Sequence, residues 1–251
     1  MKVRGLLVCI FAVLSQAATS AEIKLLAPGA LRTTLSEVIP TFEKSSGHSV
    51  KIEYGAAGPL AARVRKGEFS DAAILSRGEV NRLVKEGLIR AGDNPNVARV
   101  GVGVMVRKGH RKPDISSVEN LKSALRGAKS IGIADPKLGA AGAYLVKIFS
   151  SWGMEDELKT KIRALPPGSG LYAGVEKGVA EIGFAPISEI MARSSSLDLV
   201  GPLPADIQSY NQFAAGVLAA SRQPELADSL IRFLTSPDIT PVLKRNGLEA
   251  K

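Results

Sequence analysis

Short apolar runs alternate with amphipathic stretches along most of the chain. Residues 23–27 form an apolar run typical of a buried strand, and from Leu31 to Phe42 the apolar residues recur at the three-and-four spacing of one helix face. The same alternation predicts strands at 49–54, 71–75, 130–134, 181–185 and 198–200, and helices at 59–66, 79–86, 117–126, 140–152, 224–235 and 238–245. Strands that take turns with helices indicate an α/β fold with a mostly parallel sheet covered by helices.

Two further segments are candidates for strands that cross between two lobes. Valines at 100, 102, 104 and 106 alternate strictly with other residues, and glycines at 101 and 103 allow a bend. A later candidate runs from about Phe213 to Ala219. Two alternating units predict two lobes with a cleft between them, lobe 1 formed by 22–104 and 216–251 and lobe 2 by 105–215. One continuous doubly wound sheet is the alternative.

The first 21 residues have the order of a secretory signal peptide. Lys2 and Arg4 precede an apolar run from Leu6 to Leu14, and small residues ending at Ala21 follow. A transmembrane anchor is the alternative, but the run is shorter than the roughly 20 apolar residues that span a bilayer. We therefore expect cleavage after Ala21, a periplasmic location and no stable membrane insertion. The mature chain would then lack cysteine, since Cys9 is the only one.

Composition narrows the classes of function. Hydrophobic residues make up 45% of the 251 residues and charged residues 23%, which indicates an ordered globular protein with a real core. The formal net charge of +9 favours acidic ligands. Aromatic residues are only 5%, which argues against binding of single-stranded nucleic acid, and one Cys with two His leaves little material for a zinc site. We expect no nucleic acid partner, no metal and no cofactor.

Four loops rich in glycine and alanine are the candidate ligand-binding elements. They lie at residues 27–30, 55–58, 138–142 and 167–170, between predicted strands and helices. The start of a helix exposes unpaired backbone N–H groups and the positive end of the helix dipole, and small side chains let an anion approach that backbone. Four such loops converging on a cleft would bind an anion with main chain. The candidate residues in them are Gly29, Ala30, Ala57, Gly58, Ala141, Gly142 and Ser169.

Two side chains near these loops are further candidates. Arg77 follows the strand at 71–75 and could pair with a ligand carboxylate in bidentate fashion, with a solvated arginine at a helix start as the alternative. Tyr172 lies two residues past the fourth loop and either lines the cleft or belongs to the core. The glycine loops do not continue into the lysine of a phosphate-binding loop, and no serine has the spacing of a hydrolase elbow. No catalytic residue is therefore assigned.

Four stretches of the sequence occur in the order found in a known family. They are IKLLAPGALRTTLSEVIPTF, VKIEYGAAGPL, IGIADPKLGAAGAYL and VAEIGFAPISEI. This order resembles the molybdate-binding-like branch of the type II periplasmic solute-binding proteins, and the resemblance covers nearly the whole chain after Ala21. It implies two α/β lobes joined by two crossover strands. It also implies a protein, expected to be monomeric, that captures an oxyanion at helix N-termini for an ABC permease.

The resemblance also implies which positions contact the ligand. Where molybdate binders place serines in the first two loops this chain has Ala30 and Ala57, and the family's late tyrosine falls near Pro186. Ala141 matches a backbone contact of the family. Each missing hydroxyl removes a hydrogen bond worth roughly 1.5 to 3 kcal/mol to a charged partner. We therefore expect a small anion, an organic carboxylate or another oxyanion, in preference to molybdate.

An enzyme on the same fold is the alternative function. The stretches KPDISSVENLKSALRGAKSI and LVGPLPADIQ also resemble aconitate isomerase, which moves a double bond in a tricarboxylate. Such a reaction needs a general base near the carbon acid and cations on the carboxylates. Because the loops offer few bases, a binding protein is the expectation and the isomerase stays open.

Overall fold

The computed structural model describes residues 20–138 and 140–250, and it confirms the alternation of strands and helices. The predicted signal peptide lies outside the described residues except for its last two positions. The strands are β1 (Glu22–Pro28), β2 (Ser49–Gly55), β3 (Ala72–Ser76), β4 (Asn96–Arg107), β5 (Ile131–Ala134), β6 (Ile162–Leu165), β7 (Ile182–Pro186), β8 (Leu197–Pro202) and β9 (Tyr210–Val217). The helices are α1 (Arg32–Ser46), α2 (Ala57–Arg65), α3 (Arg77–Lys85), α4 (Val118–Gly127), α5 (Ala140–Ser151), α6 (Glu155–Lys159), α7 (Ser169–Glu176), α8 (Ile187–Met191), α9 (Pro224–Leu234) and α10 (Thr240–Arg245). A 3₁₀ turn at Gly29–Leu31 leads into α1.

Two sheets share the long strand β4. Its first part, from Asn96 to Gly101, pairs with β9, and its later part, from Val102 to Arg107, pairs with β7 and β8. The first sheet continues from β9 to β3, β1 and β2, and the second from β7 to β5 and β6. β1, β2 and β3 are parallel, as are β5, β6 and β7, whereas β4 and β9 run antiparallel to their neighbours. We call the two halves the first and the second lobe.

Strand β4 passes from the first sheet to the second at Gly101 and Gly103, the glycines between its alternating valines. An added Cβ at Gly103 would lie 2.8 Å from Ile187 and 2.9 Å from Leu199, so the strand backbone packs closely against the second lobe there. Across the same passage, the Gln208 side chain accepts a hydrogen bond from the Val102 N–H and donates one to the Val102 carbonyl. The Gln208 side chain thus adds to the backbone hydrogen bonds that Val102 makes with Ser209 and Leu203 where β4 leaves the first sheet.

The second crossover strand begins earlier than its apolar pattern indicates. β9 pairs with β4 from Tyr210 and with β3 from Phe213, so it belongs to the first sheet upstream of the predicted lobe boundary at 216. Its first residues, Tyr210 and Asn211, are exposed, and the continuous buried run starts only at Phe213. Hydrophobic patterning therefore reveals only the buried part of this strand.

Each sheet is covered by helices on both faces. In the first lobe α1, α9 and α10 pack on one face around Leu35 and Leu230, and α2 and α3 pack on the other around Leu60 and Leu83. In the second lobe α4, α5 and α6 cover one face, and α7 and α8 cover the other. Burial of these clusters is the main term that stabilises each lobe. In the described part of the chain, no helix is both long enough and apolar enough to cross a membrane.

Four elements of the second lobe were absent from the predicted pattern. They are β6, α6, α7 and α8, and each has between four and eight residues. An element of this length shows too few positions for a helical or strand period to emerge. Two of them, α7 and α8, form part of the candidate site.

Candidate functional site

Three of the four helices that follow the predicted loops begin without a side-chain cap. The residues at the N-cap of the 3₁₀ turn before α1, of α2 and of α7 are Pro28, Ala56 and Gly168, whose side chains have no hydrogen-bond acceptor. In contrast, Ser76 and Ser117 cap α3 and α4 with their hydroxyl oxygens. The first backbone N–H groups of these three helix starts are therefore left for solvent or for a ligand.

The same helices start without a compensating negative charge. Among the described helices, α1, α2, α5, α7 and α10 have no acidic residue in the first turn. Other helices do, with Glu79 in α3, Glu119 in α4 and Glu225 in α9. An acid in the first turn stabilises a helix by opposing the partial positive charge of its N-terminus. The four helices that follow the predicted loops, α1, α2, α5 and α7, therefore retain a positive N-terminal end that attracts an external anion.

The first two loops differ in burial. Ala30 is buried and Gly29 is half-buried, whereas Ala57 is half-buried and Gly58 is exposed. An added Cβ at Gly58 would meet no atom within 4 Å, so open space faces this position at the start of α2. The second loop is therefore the more accessible of the two.

A cation lies beside the first loop. Arg32 is the first residue of α1, and its guanidinium lies 3.9 Å from the centroid of the Tyr54 ring. A positive side chain at a helix N-terminus is unfavourable for the isolated helix, and the aromatic face offsets part of that cost. Burial raises the pKa of the Tyr54 phenol, so the ring stays neutral beneath the cation. Arg32 adds positive charge where the first loop begins its helix.

The third loop is shaped by helix packing, and its residue 139 lies outside the described residues. An added Cβ at Gly142 would lie 1.8 Å from the carbonyl oxygen of Ala134, the last residue of β5. The first turn of α5 therefore rests directly on the end of that strand, and only glycine fits. Close packing alone explains why residue 142 is a glycine. The ligand contacts assigned to Ala141 and Gly142 stay predictions.

The fourth loop turns sharply into α7. Gly168, at the N-cap, has a φ of 74° and a ψ of −128°, a left-handed backbone conformation that favours glycine. An added Cβ at Gly170 would lie 2.8 Å from the ring of Pro166, so the first turn of α7 packs on the preceding loop. Ser169 between them is exposed. The bend leads from the end of β6 into α7, a helix that the apolar pattern did not predict.

Tyr172 belongs to a polar group inside the second lobe. It is 3% exposed, and its hydroxyl donates a 2.7 Å hydrogen bond to Glu189 Oε2. The Arg193 guanidinium lies 3.8 Å from the centroid of the Tyr172 ring and donates from Nη1 to the Glu189 carbonyl. Burial and the neighbouring Glu189 carboxylate raise the pKa of the Tyr172 phenol well above its usual range. Tyr172 is therefore a neutral donor that is committed to Glu189.

Glu189 is the member of this polar group that reaches the boundary between the lobes. It lies in the first turn of α8, which contacts the 3₁₀ turn Gly29–Leu31 of the first lobe. An added Cβ at Gly29 would lie 3.9 Å from Glu189 Oε1, which is ordinary van der Waals contact. On its other side α8 packs against the C-terminal segment, because an added Cβ at Gly247 would lie 2.7 Å from Met191. The fold thus brings together the first loop, α7 and α8.

Arg77 is held by the segment that leads into β4. Its Nε donates a 2.8 Å hydrogen bond to Asn96 Oδ1, and its Nη1 donates one of 2.8 Å to the Asn94 carbonyl. These contacts join the start of α3 to the start of β4. They occupy part of the guanidinium fork with internal acceptors, and a bidentate bond from Arg77 to a ligand stays a prediction.

Glu189 and Arg193 were missed by sequence reasoning. Both lie in or just after the stretch VAEIGFAPISEI, and the acid two residues into a short helix after a strand was the available signal. That signal is weak, because an acid in the first turn of a helix most often only balances the helix dipole. The contact with Gly29 depends on residues 160 positions away in the chain, and only the fold shows it.

Two sheets that share β4, with β9 returning the chain to the first sheet, define the two-lobed class of periplasmic binding proteins. Residues 23–249 match the family described as bacterial extracellular solute-binding protein, and the chain belongs to that family. The match confirms that this is a solute-binding protein.

Three proteins illustrate what this chain is similar to. An aconitate isomerase from Pseudomonas sp. is 28% identical over 232 residues, which cover 89% of this chain and 86% of that protein. The molybdate-binding protein ModA of Azotobacter vinelandii is 24% identical over 245 residues, 97% of this chain and 93% of that protein. The solved periplasmic molybdate-binding protein of Azotobacter vinelandii superposes with a TM-score of 0.74 at 19% identity, covering 91% of this chain and 99% of that one. These similarities confirm the predicted fold and its molybdate-binding-like character.

Proposed function

We propose that this protein is the periplasmic substrate-binding protein of an ABC-type uptake system and that it captures a small organic carboxylate between its lobes. The observation that carries the proposal is the set of helix starts at the four loops, which have neither an acidic first turn nor, at Pro28, Ala56 and Gly168, a side-chain cap. Such helix starts bind anions through backbone N–H groups. The net charge of +9 adds a long-range attraction for them.

The side chains around the loops favour a carboxylate over molybdate. Ala30 and Ala57 offer no hydroxyl donor, and the phenol of Tyr172 is already used by Glu189. A desolvated tetrahedral dianion needs a donor for each of its oxygens, whereas a carboxylate needs fewer at any one place. Arg32 beside the first loop supports binding of a carboxylate as a charged partner.

The family and the pattern of the first 21 residues support the proposed partner and compartment. Solute-binding proteins of this family deliver their ligand to a membrane permease, and the order of charged, apolar and small residues at 1–21 fits export to the periplasm. The proposal therefore includes an ABC permease as partner and a monomeric mature chain.

A pair of glycine variants tests the binding site. Gly58 and Gly78 are each the second residue of a helix, α2 and α3, and an added Cβ at either would meet no atom within 4 Å. An aspartate at either position stabilises its helix start, so both variants should fold. Only Gly58→Asp places a negative charge at a predicted ligand loop. We expect Gly58→Asp to abolish anion binding and Gly78→Asp to leave it unchanged.

Thermal shift and calorimetry give the readout. Citrate, malate, succinate, sulfate and molybdate are titrated into the purified protein; a ligand increases the unfolding free energy by RT ln(1 + [L]/Kd) and so raises the melting temperature. We expect at least one carboxylate to bind at one-to-one stoichiometry and to be recovered unchanged. Stabilisation by a neutral sugar or amino acid, with none by any anion, would overturn the proposal.

An aconitate isomerase is the second candidate. The 28% identity to the Pseudomonas enzyme over 89% of this chain favours it, and Glu189 supplies a carboxylate beside the first loop that could accept a proton. The two functions differ in turnover. Incubation of cis-aconitate with the protein, followed by NMR, detects the trans isomer if the protein is an enzyme. Unchanged cis-aconitate at catalytic protein concentration excludes the isomerase.

A further inference from the structure

We propose that Glu189 determines the specificity of the interlobe site and selects organic anions that carry a hydroxyl group. The inference rests on the proposed function, since it names the class of carboxylate that the site takes. It is carried by the position of one carboxylate between Tyr172 of the second lobe and Gly29 of the first.

The two oxygens of Glu189 have different surroundings. Oε2 accepts the 2.7 Å hydrogen bond from the Tyr172 hydroxyl, which fixes the side-chain rotamer. Oε1 lies toward the first loop, 3.9 Å from the place that a Cβ of Gly29 would take. Because residue 29 is glycine, no side chain stands between Oε1 and the backbone at the start of the 3₁₀ turn. Oε1 thus faces the backbone of the first loop, where the proposed function puts the ligand.

The charge of Glu189 restricts what binds there. An ionised carboxylate only accepts hydrogen bonds, so the ligand group that meets Oε1 has to be a donor. A carboxylate or a fully ionised sulfate or molybdate oxygen at that place meets a like charge instead. The Arg193 guanidinium lies over the Tyr172 ring, 3.8 Å from its centroid, and donates to the main-chain carbonyl of Glu189 and not to its carboxylate. Glu189 therefore disfavours a bare oxyanion at this end of the site.

A hydroxycarboxylate satisfies both ends. Its carboxylate binds the backbone N–H groups and the dipole at the start of a loop helix, and its hydroxyl donates to Oε1. Hydrogen bonds to a charged group contribute more than neutral ones, and a ligand that lacks the hydroxyl offers no donor to the Glu189 oxygen when it fills the site. The hydroxyl group should accordingly dominate the discrimination among carboxylates of one size.

Matched ligand pairs isolate the hydroxyl group. Malate differs from succinate by one hydroxyl, and citrate differs from tricarballylate in the same way. We expect the wild-type protein to bind the hydroxylated member of the preferred pair at least about 10-fold more tightly. This ratio, measured by calorimetry, tests the inference without any substitution. Equal affinities for both members of each pair that binds would overturn it while leaving the carboxylate-binding function in place.

Glu189→Gln and Glu225→Gln form a matched pair of variants. Both residues are acids in the first turn of a helix, but Glu225 is exposed at the start of α9. The Gln side chain keeps the shape and donates as well as accepts, so it no longer requires a donor from the ligand. We expect Glu189→Gln to reduce the malate-to-succinate and citrate-to-tricarballylate ratios to within about threefold and to strengthen sulfate and molybdate binding. Glu225→Gln should retain the wild-type ratios.

The outcomes separate the inference from the proposed function. A Glu189→Gln variant that folds and keeps the wild-type ratios refutes the role of Glu189 and leaves carboxylate capture standing. Absence of binding for every anion in the wild-type protein refutes both. Circular dichroism and the unfolding midpoint establish that each variant is folded before its ratios are compared.

Discussion

The Tyr172 hydroxyl lies 2.7 Å from Glu189 Oε2 and joins the first half of α7 to the first turn of α8. The tyrosine is buried, whereas the glutamate reaches the boundary with the first lobe at Gly29. A rigid donor within the core therefore positions a carboxylate at the edge of the predicted site. The ligand selectivity proposed for Glu189 would therefore depend on a hydrogen bond that also stabilises the second lobe.

Tyr172→Phe should destabilise the protein by about 1–3 kcal/mol. The substitution keeps the ring and its packing but leaves a carboxylate oxygen of Glu189 without its donor. Urea unfolding monitored by circular dichroism measures the change in free energy. Tyr210→Phe is the control, because Tyr210 is 41% exposed and should change the free energy of unfolding by less than about 0.5 kcal/mol. Equal stability of the two variants would contradict the structural role of the hydroxyl.

Stability should fall at alkaline pH in a way that depends on Tyr172. The raised pKa of this phenol means that the unfolded chain releases the proton near pH 10 while the native protein still holds it. The contribution is therefore fully present below about pH 10 and is lost as the pH rises above it. Burial also raises the pKa of Tyr54 and Tyr144, so the comparison has to be made with a variant.

Tyr172→Phe isolates that effect. The difference in unfolding free energy between wild type and variant should shrink as the pH is raised from about 8 to about 11. Tyrosinate absorbance should show one fewer residue that titrates only on unfolding. A difference that stays constant over this range would mean that Tyr172 ionises alike in both states.

Gly142→Ala should cost at least about 3 kcal/mol, because the new methyl group would lie 1.8 Å from the Ala134 carbonyl oxygen and α5 would have to move away from β5. Gly78→Ala is the matched control at a helix start with no atom within 4 Å. Its smaller unfolded-state entropy should stabilise the protein by about 0.4–1 kcal/mol. Similar unfolding midpoints for the two variants would show that the start of α5 can move away from β5 without a loss of stability.

Asp71→Ala should destabilise the first lobe by about 2–5 kcal/mol. Asp71 is fully buried, and its carboxylate accepts one hydrogen bond from the Lys24 N–H and another from the Ser221 hydroxyl, each 2.9 Å long. Removing it leaves both donors without their acceptor. Ser221→Ala removes one of these bonds and should cost about 1 kcal/mol. Urea unfolding measures both variants. If Asp71→Ala and Ser221→Ala lose the same free energy of unfolding, the Asp71 carboxylate does not have the stabilising role given to it here.

The longer elements could be predicted because each buries a regular stripe. The helix α1 has buried residues at 34, 35, 38, 39 and 42, which is the spacing that the sequence shows. Strand β4 was found through its valines, but its first residues and the polar start of β9 were not, because Asn96 and Tyr210 carry no apolar signal. Short elements such as α8 were missed because they have too few positions for a period to emerge.

The sequence by itself determined the two-lobed α/β fold and pointed to the four loops, since these depend on local spacing of apolar residues and glycines. The tertiary structure decided what those residues do: Gly142 serves the contact of α5 with β5, and Arg77 is bonded to Asn94 and Asn96. It also brought Glu189 against Gly29 across the lobes. Such contacts join residues far apart in the chain, and no local pattern encodes them. The physical reason is that the role of a residue depends on the atoms packed and hydrogen-bonded around it, which only the folded chain brings together.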